Sequence, residues 1–125
     1  MIPHRFSLVS RIKSFRYAFN GLRILLKEEH NFRIHLFALI VVLVTGYCVN
    51  LSTLEWGALV LAMGLVITAE IINTVLENMS DLIAPEKNPV IKKIKDIAAA
   101  GVLVSAITAL LVGILIFLPK LTESC

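Results

Sequence analysis

The chain has 125 residues, of which 58% are hydrophobic, and its mean hydropathy is +0.86. This composition excludes an ordinary soluble globule and favours one integral-membrane domain over residues 1–125. The formal net charge is +3. Its basic residues flank the apolar blocks, which is typical of the cytoplasmic side of a membrane protein and argues against nucleic acid as a partner. The two cysteines have neither a metal-ligand spacing nor a disulfide framework.

The N-terminal stretch, residues 1–33, predicts an amphipathic helix that lies on the membrane surface. Between Leu8 and Leu26, apolar residues recur at alternating spacings of four and three, so they share one helical face. Lys13 and Lys27 lie to one side of that face. A basic amphipathic helix of this kind lies in the membrane interface. The alternative, a helix packed on a soluble core, is weaker because no soluble core follows.

Three apolar segments follow, each long enough to cross a bilayer. We predict transmembrane helices over residues 34–51, 56–81 and 89–118. The connection between the first two has no Lys or Arg, whereas lysines cluster before the third. The positive-inside rule therefore places the N-terminus and residues 81–95 in the cytoplasm and the C-terminus outside. Asn88 and Pro89 are typical of an N-cap and a first helical position, so the third helix should begin there.

The second transmembrane segment carries acidic and amide side chains on one of its faces. Glu70, Asn73, Glu77 and Asp81 recur at i, i+3, i+7 and i+11. At about 100° per residue they share a stripe roughly 80° wide. A carboxylate in such a segment costs roughly 2.5–3.5 kcal/mol for insertion, so it must be paired, protonated or bound to a metal. The stripe therefore predicts a functional site that runs to the cytoplasmic boundary.

Charged residues from the other segments reach the same boundary. Glu28 and Glu29 precede the first span, and lysines together with Asp96 begin the third. Two carboxylates with phosphate oxygens suit Mg²⁺, and lysines suit phosphate. A deeper carboxylate such as Glu70 can take a proton from a hydroxyl. These parts predict phosphoryl transfer from a nucleotide to a lipid alcohol, although no GxxxxGK[ST] loop is present to hold the nucleotide.

The motif E-I-I-N-T-V-L-E-N-M-S-D, followed by K-I-K-D-I-A-A-A, resembles the small integral-membrane lipid kinases of bacteria, the diacylglycerol and undecaprenol kinases. G-L-R at Gly21–Arg23 and E-x-x-F-R at Glu29–Arg33 extend the resemblance, which covers about residues 14–118. It implies an ATP-dependent kinase with Mg²⁺ as cofactor, a membrane lipid as substrate, a homotrimer with shared active sites, and a place in the inner (cytoplasmic) membrane. Some members carry an arginine near the nucleotide where this chain has Ser10, with Arg11 next to it.

The resemblance also implies roles for individual residues. Glu70 resembles the catalytic base and Asn73 a residue that orients its neighbours, while Glu29 and Glu77 resemble the Mg²⁺ ligands. The positions that match nucleotide contacts are Tyr17, Glu29, Glu77, Asp81, Glu86, Lys87, Asn88, Lys95 and Asp96. The positions that match the lipid side are Ser14, Phe15, Phe19, Arg23, Asn31, Phe32, Arg33, His35, Cys48, Trp56, Glu70 and Ala99.

Two alternatives to an undecaprenol kinase stay open at the level of sequence. The run Leu82–Pro85, the proline at position 89 and His35 are more like the undecaprenol-kinase branch, so undecaprenol is the expected substrate and diacylglycerol the alternative. A protein of another class, a small proton- or ion-coupled transporter, would use Glu70 as its relay. That hypothesis leaves the other acids at the boundary without a role.

Overall fold

The computed structural model describes residues 5–123, which form four α-helices. In chain order these are α1 (Leu8–Glu28), α2 (His30–Cys48), α3 (Thr53–Ile83) and α4 (Pro89–Glu123). No strand occurs within residues 5–123. By length and composition, α2, α3 and α4 are each able to cross a membrane. The predicted all-α class with three apolar spans is confirmed. The first four residues of the expected surface helix lie outside the described residues.

The break between α1 and α2 falls on Glu29. Its backbone is extended, with φ −106° and ψ 109°, while its N–H still donates to the Leu25 carbonyl at 3.0 Å. The helix of the first span therefore begins at His30, before residue 34, because the charged residues that precede the apolar block are helical too. This geometry places the Glu29 carboxylate at a bend between two helices.

The turn between α2 and α3 is short and locally defined. Asn50 has φ 56°, in the left-handed region that Asn tolerates better than most residues. Ser52 then forms a capping box: Glu55 N–H donates to Ser52 Oγ at 3.2 Å, and Ser52 N–H donates to Glu55 Oε1 at 2.9 Å. Because of this box, α3 begins at Thr53, three residues before the expected start at 56. The turn makes α2 and α3 antiparallel neighbours.

Side-chain hydrogen bonds are present at both ends of α4. The Asn88 Oδ1 atom accepts from Val90 N–H at 2.9 Å, which confirms the predicted N-cap. At the other end the helix continues through Pro119 to Glu123, beyond the expected end at 118. Proline removes one donor, but Thr122 Oγ1 donates to the Leu118 carbonyl at 3.2 Å and to the Pro119 carbonyl at 3.0 Å, which helps to hold this last turn together.

The buried face of α3 is a single helical stripe. This helix lies against α4 along most of its length and against α2 on another side. Its buried residues are Leu59, Ala62, Val66, Glu70, Asn73, Thr74 and Ser80. The stripe is apolar up to Val66 and polar from Glu70 onward, so Glu70 and Asn73 continue the packing face of the helix.

The apolar stripe of α1 is uncovered within one chain. Leu8, Ile12, Phe15 and Phe19 are between 64% and 69% exposed, and α1 contacts α2 near its end. Apolar surface of this extent needs a cover other than water.

Gly46 on α2 allows the close approach of the turn and the start of α3. A Cβ atom at this position would lie 2.9 Å from Trp56 Cη2 and 3.0 Å from Leu51 Cδ1. The missing side chain therefore makes room for the indole ring.

Gly46→Leu should lower the unfolding temperature in detergent by several degrees, because overpacking of this kind costs about 1–3 kcal/mol. Gly64→Leu is the matched control, since a Cβ at Gly64 meets nothing within 4 Å. The two variants gain the same helix propensity, so equal unfolding temperatures, measured by thermal scanning of the purified proteins, would contradict the proposed steric role of Gly46.

Candidate active site

Glu70 is the deepest acid of the chain and has a partner on the neighbouring helix. It is 2% exposed, about 16 Å from Asp81 along the axis of α3 at 1.5 Å per residue. His35, six residues after the bend at Glu29, brings its Nε2 atom to 3.7 Å from Glu70 Oε2. This distance is an electrostatic contact and exceeds that of a hydrogen bond. A buried carboxylate and an imidazole from two helices therefore face each other.

Asn73 occupies the next turn of the same face. Its Nδ2 donates to Glu77 Oε1 at 3.1 Å, and the residue is 4% exposed. The Asn73 Oδ1 atom is buried without a hydrogen-bond partner within residues 5–123. An unpaired buried acceptor costs about 1–3 kcal/mol, so this oxygen marks a place where a donor or a cation would be accommodated.

Two further carboxylates lie in the neighbourhood of Glu70. They belong to Glu77, on the same helix, and to Glu29, at the bend before α2. Within residues 5–123 no group of three or more His, Cys, Asp or Glu side chains is arranged to hold a metal ion. Mg²⁺ keeps several waters and binds through one or two carboxylates plus substrate phosphates, so a complete protein cage is not required. Of the groups that the sequence assigns to Mg²⁺, the Glu77 carboxylate is held by the Asn73 amide, beside the unpaired Asn73 oxygen, and hard oxygen donors of this kind are compatible with Mg²⁺.

An ion pair joins the end of α3 to the start of α4, at a second polar region of the chain. The Lys95 Nζ atom bonds to Asp81 Oδ1 across the connecting loop. On α4 itself, Lys92 pairs with Asp96 at 2.7 Å, as the i, i+4 spacing predicts. Lys92, Asp96 and Asp81 are exposed and Lys95 is half-buried, so these amines and carboxylates are accessible to a soluble ligand.

An apolar cavity of about 520 Å³ lies between α2, α3 and α4. Within the described part of the chain, His35 is its one lining residue with a polar side chain; the rest are aliphatic, Phe, Met or Gly. The cavity continues past Leu59 and Phe117 to Leu121, near the end of α4. A long apolar space thus begins at the residue that faces Glu70.

Other positions that the sequence assigns to ligands are spread over the chain. Exposed positions on α1 and around the start of α2 are Ser14, Phe15, Tyr17, Phe19, Arg23, Asn31 and Arg33. Phe32 is buried, and Ala99 is exposed on α4. Cys48 and Trp56 lie at the far end of α2 and the near end of α3, away from Glu70, Glu77 and Asp81. Glu86, Lys87 and Asn88 form the exposed loop before α4.

The α1 positions do not join the Glu70 cluster within one described chain. Tyr17, expected at the nucleotide, is 69% exposed. Ser10 and Arg11 are exposed as well, and the Arg11 guanidinium lies 5.6 Å from the ring centroid of Phe6. These side chains face away from the packed core of the chain.

Sequence reasoning missed two partnerships. It assigned His35 to the lipid side and did not pair it with Glu70. The available signal was that a carboxylate buried in a span requires a partner, and His35 is the basic side chain within the first apolar block. It also missed an ion pair at the opposite end, where Lys120 Nζ lies 3.3 Å from Glu55 Oε1. Glu55 and Lys120 both lie at helix ends on the same side of the predicted membrane. Their shared location was the sequence signal for this ion pair.

Three helices long and apolar enough to cross a membrane, with a buried acid and its polar neighbours on the middle one, define a small helical membrane protein. Residues 16–117 match the family model described as prokaryotic diacylglycerol kinase, and the chain belongs to this family. It is 40% identical to the undecaprenol kinase of Bacillus subtilis, over 94% of this chain and 96% of that relative.

Two diacylglycerol kinases are also similar. The chain is 38% identical to the one of Synechocystis sp., over 86% of this chain and 62% of that relative. It is 35% identical to the one of Helicobacter pylori, over 76% of this chain and 74% of that relative. The predicted family is confirmed, and the chain is a lipid kinase rather than a transporter. Membership of a kinase family implies ATP as the phosphoryl donor.

Proposed function

We propose that this kinase phosphorylates undecaprenol, with Glu70 as the base that receives the proton of the lipid hydroxyl. The observation that carries the proposal is the position of Glu70: it is buried, faces His35, and lies where the apolar cavity begins. A lipid whose tail fills the cavity would present its head group to the carboxylate. The hydroxyl and the nucleotide would then meet at the polar end of α3.

The lining of the cavity favours a polyprenol over diacylglycerol. Beside its hydroxyl, diacylglycerol carries two ester groups that would need hydrogen-bond donors, whereas a polyprenol has no polar atom except its hydroxyl oxygen. His35 is the one polar lining residue within the described chain, and it already faces Glu70. Each unsatisfied buried polar group costs about 1–3 kcal/mol. The 40% identity to an undecaprenol kinase supports the same choice.

The reaction requires positioning and charge neutralisation more than covalent chemistry by the protein. The lipid oxygen attacks the γ-phosphorus, its proton passes to a Glu70 oxygen, and the bond to the bridging oxygen breaks to release ADP. Asn73 holds the Glu77 carboxylate through its amide group. Glu29 and Glu77 would hold Mg²⁺, which when bound neutralises phosphate charge.

We assign the nucleotide to the solvent side of this site. Asp81 and Lys95 bridge α3 and α4 there, with Asp96 one residue further and Glu86, Lys87 and Asn88 in the adjoining loop. Lysine amines suit phosphate oxygens as point charges. Tyr17, together with the α1 positions that match the lipid side, would complete the site from a neighbouring chain. Their exposure within one chain is consistent with this arrangement.

The assembly that we propose is a homotrimer in the cytoplasmic membrane. The lysines before α4 and the basic residues of α1 favour a cytoplasmic N-terminus and an outer C-terminus. The exposed apolar stripe of α1 would then lie in the inner interface. Apolar surface left open on α2, α3 and α4 would face lipid or neighbouring chains.

The lipid preference is tested by comparing undecaprenol and diacylglycerol side by side. We expect Mg²⁺-dependent transfer of labelled phosphate from ATP in detergent–lipid micelles, with a kcat/KM for undecaprenol about tenfold higher or more, since 1.4 kcal/mol corresponds to a factor of ten. Equal rates, or a preference for diacylglycerol, would contradict the assignment of the lipid.

A further inference from the structure

We infer that His35 is the positioning residue of the active site: from α2 it holds the Glu70 side chain in place beside the apolar cavity that His35 itself lines. The inference rests on the proposed role of Glu70 as the base. It adds a specific requirement, namely that the base works only as one half of a pair formed between two helices.

The polar groups nearest to Glu70 in sequence are engaged elsewhere. Thr74 Oγ1 donates to the backbone carbonyl of Glu70 at 3.0 Å, so its hydroxyl proton is not directed at the Glu70 carboxylate. The Asn73 amide donates to Glu77. Residues of α3 itself therefore do not provide the partner that a buried carboxylate needs.

The polar contact from another helix comes from α2. Within residues 5–123, His35 Nε2 lies 3.7 Å from Glu70 Oε2. A carboxyl group whose side chain is 3% exposed in a membrane span needs such a polar neighbour. Without His35, the Glu70 carboxyl group would lose the contact that fixes its direction.

The location of His35 fits this role. Its side chain is 24% exposed and lines the apolar cavity, whereas the Glu70 side chain is 3% exposed and is not part of the lining. An imidazole at this boundary is close both to the carboxylate and to the space proposed for the lipid. It can therefore orient the carboxylate oxygens toward an entering hydroxyl.

The first test is spectroscopic and does not depend on turnover. Infrared spectra of the purified protein in lipid should contain a carboxyl band of Glu70, identified by its loss in Glu70→Gln. This band should shift in frequency in His35→Leu, because the contact with the imidazole is lost. A Glu70 band at the same frequency in the wild type and in His35→Leu would overturn the inference and leave the identity of the reaction untouched.

The second test is kinetic and compares His35→Gln, which keeps a polar side chain, with His35→Ala, which removes it. His35→Gln should lower kcat for the lipid about tenfold or more, part of the 10²–10⁴-fold that a positioned base contributes, while the KM for ATP and the Mg²⁺ requirement stay unchanged. His35→Ala should regain activity when imidazole is added, a rescue that a merely structural role would not allow.

His30→Gln is the matched control. His30 is an exposed histidine at the start of the same helix, and it accepts from Arg33 at 3.3 Å. It should retain wild-type kcat. A His35→Gln enzyme with wild-type kcat, or equal losses in His30→Gln and His35→Gln, would overturn the inference. Were the wild type itself inactive on lipid alcohols, the proposed function would fail, but the infrared result would still stand.

Discussion

Glu70→Gln is expected to abolish phosphoryl transfer to the lipid, with a loss in kcat of about 10²–10⁴-fold, because an amide cannot receive the hydroxyl proton. The two side chains have nearly the same shape, so the packing of α3 against its neighbours should be preserved. ATP affinity and the oligomeric state should therefore remain close to those of the wild type. Transfer of labelled phosphate from ATP, together with nucleotide binding, separates these effects.

Glu55→Gln is the control for this substitution. Glu55 is also an acid of α3, but it lies at the opposite end of the helix, where it pairs with Lys120 and closes the capping box. Glutamine can serve in the same capping box, so the helix start should survive. Near-normal turnover in Glu70→Gln, or an equal loss in both variants, would remove Glu70 from the role of base.

Glu77→Gln and Glu29→Gln should each raise the Mg²⁺ concentration needed for half-maximal activity by about tenfold or more, since each removes a charged oxygen ligand. Gln at 77 keeps an oxygen that can accept from the Asn73 amide, so the local hydrogen bond is retained. Mn²⁺ binding followed by electron paramagnetic resonance measures the same loss directly.

A double-mutant cycle tests whether the two carboxylates share one ion. If they do, the combined variant should lose less affinity than the sum of the single losses, because the shared site is already damaged by either change. Glu28→Gln, next to Glu29 but exposed at the end of α1, should leave the Mg²⁺ titration unchanged. Strictly additive losses, or unchanged titrations in the single variants, would exclude a shared ion.

The acidic face of α3 could be predicted from sequence because it depends only on helical periodicity. Glu70, Asn73 and Glu77 fall on one side of any regular helix. The structure adds that the same side continues as Leu59, Ala62 and Val66, the packing face of α3. Glu70 and Asn73 are thus buried because the helix packs on this face, which periodicity alone did not reveal.

The partner of Glu70 could not be predicted in the same way. Whether His35 meets Glu70 depends on the register between α2 and α3, and that register is set by the short turn around Asn50 and the Ser52 capping box. The geometry of such a turn is not a function of helical periodicity, so the register does not follow from the positions of residues on each helix. Sequence patterns place residues on a helix face, but they do not align two helices to within a few ångströms.

Helix ends were less well predicted than helix faces. The extended backbone of Glu29 and the continuation of α4 past Pro119 both depend on local hydrogen bonds. Hydropathy detects the apolar blocks and does not detect the charged turns that extend them. The cavity between α2, α3 and α4 likewise follows from packing, since its lining comes from residues far apart in the chain.

We propose that Glu29 and Glu77 together bind the Mg²⁺ of MgATP, beside a lipid hydroxyl that contacts Glu70. The most direct measurement is an experimental structure with Mg²⁺, a non-hydrolysable ATP analogue and the lipid alcohol. It should show the cation bonded to oxygens of both glutamates and the hydroxyl within hydrogen-bond distance of Glu70. A cation bound by other residues, or a hydroxyl distant from Glu70, would contradict the account.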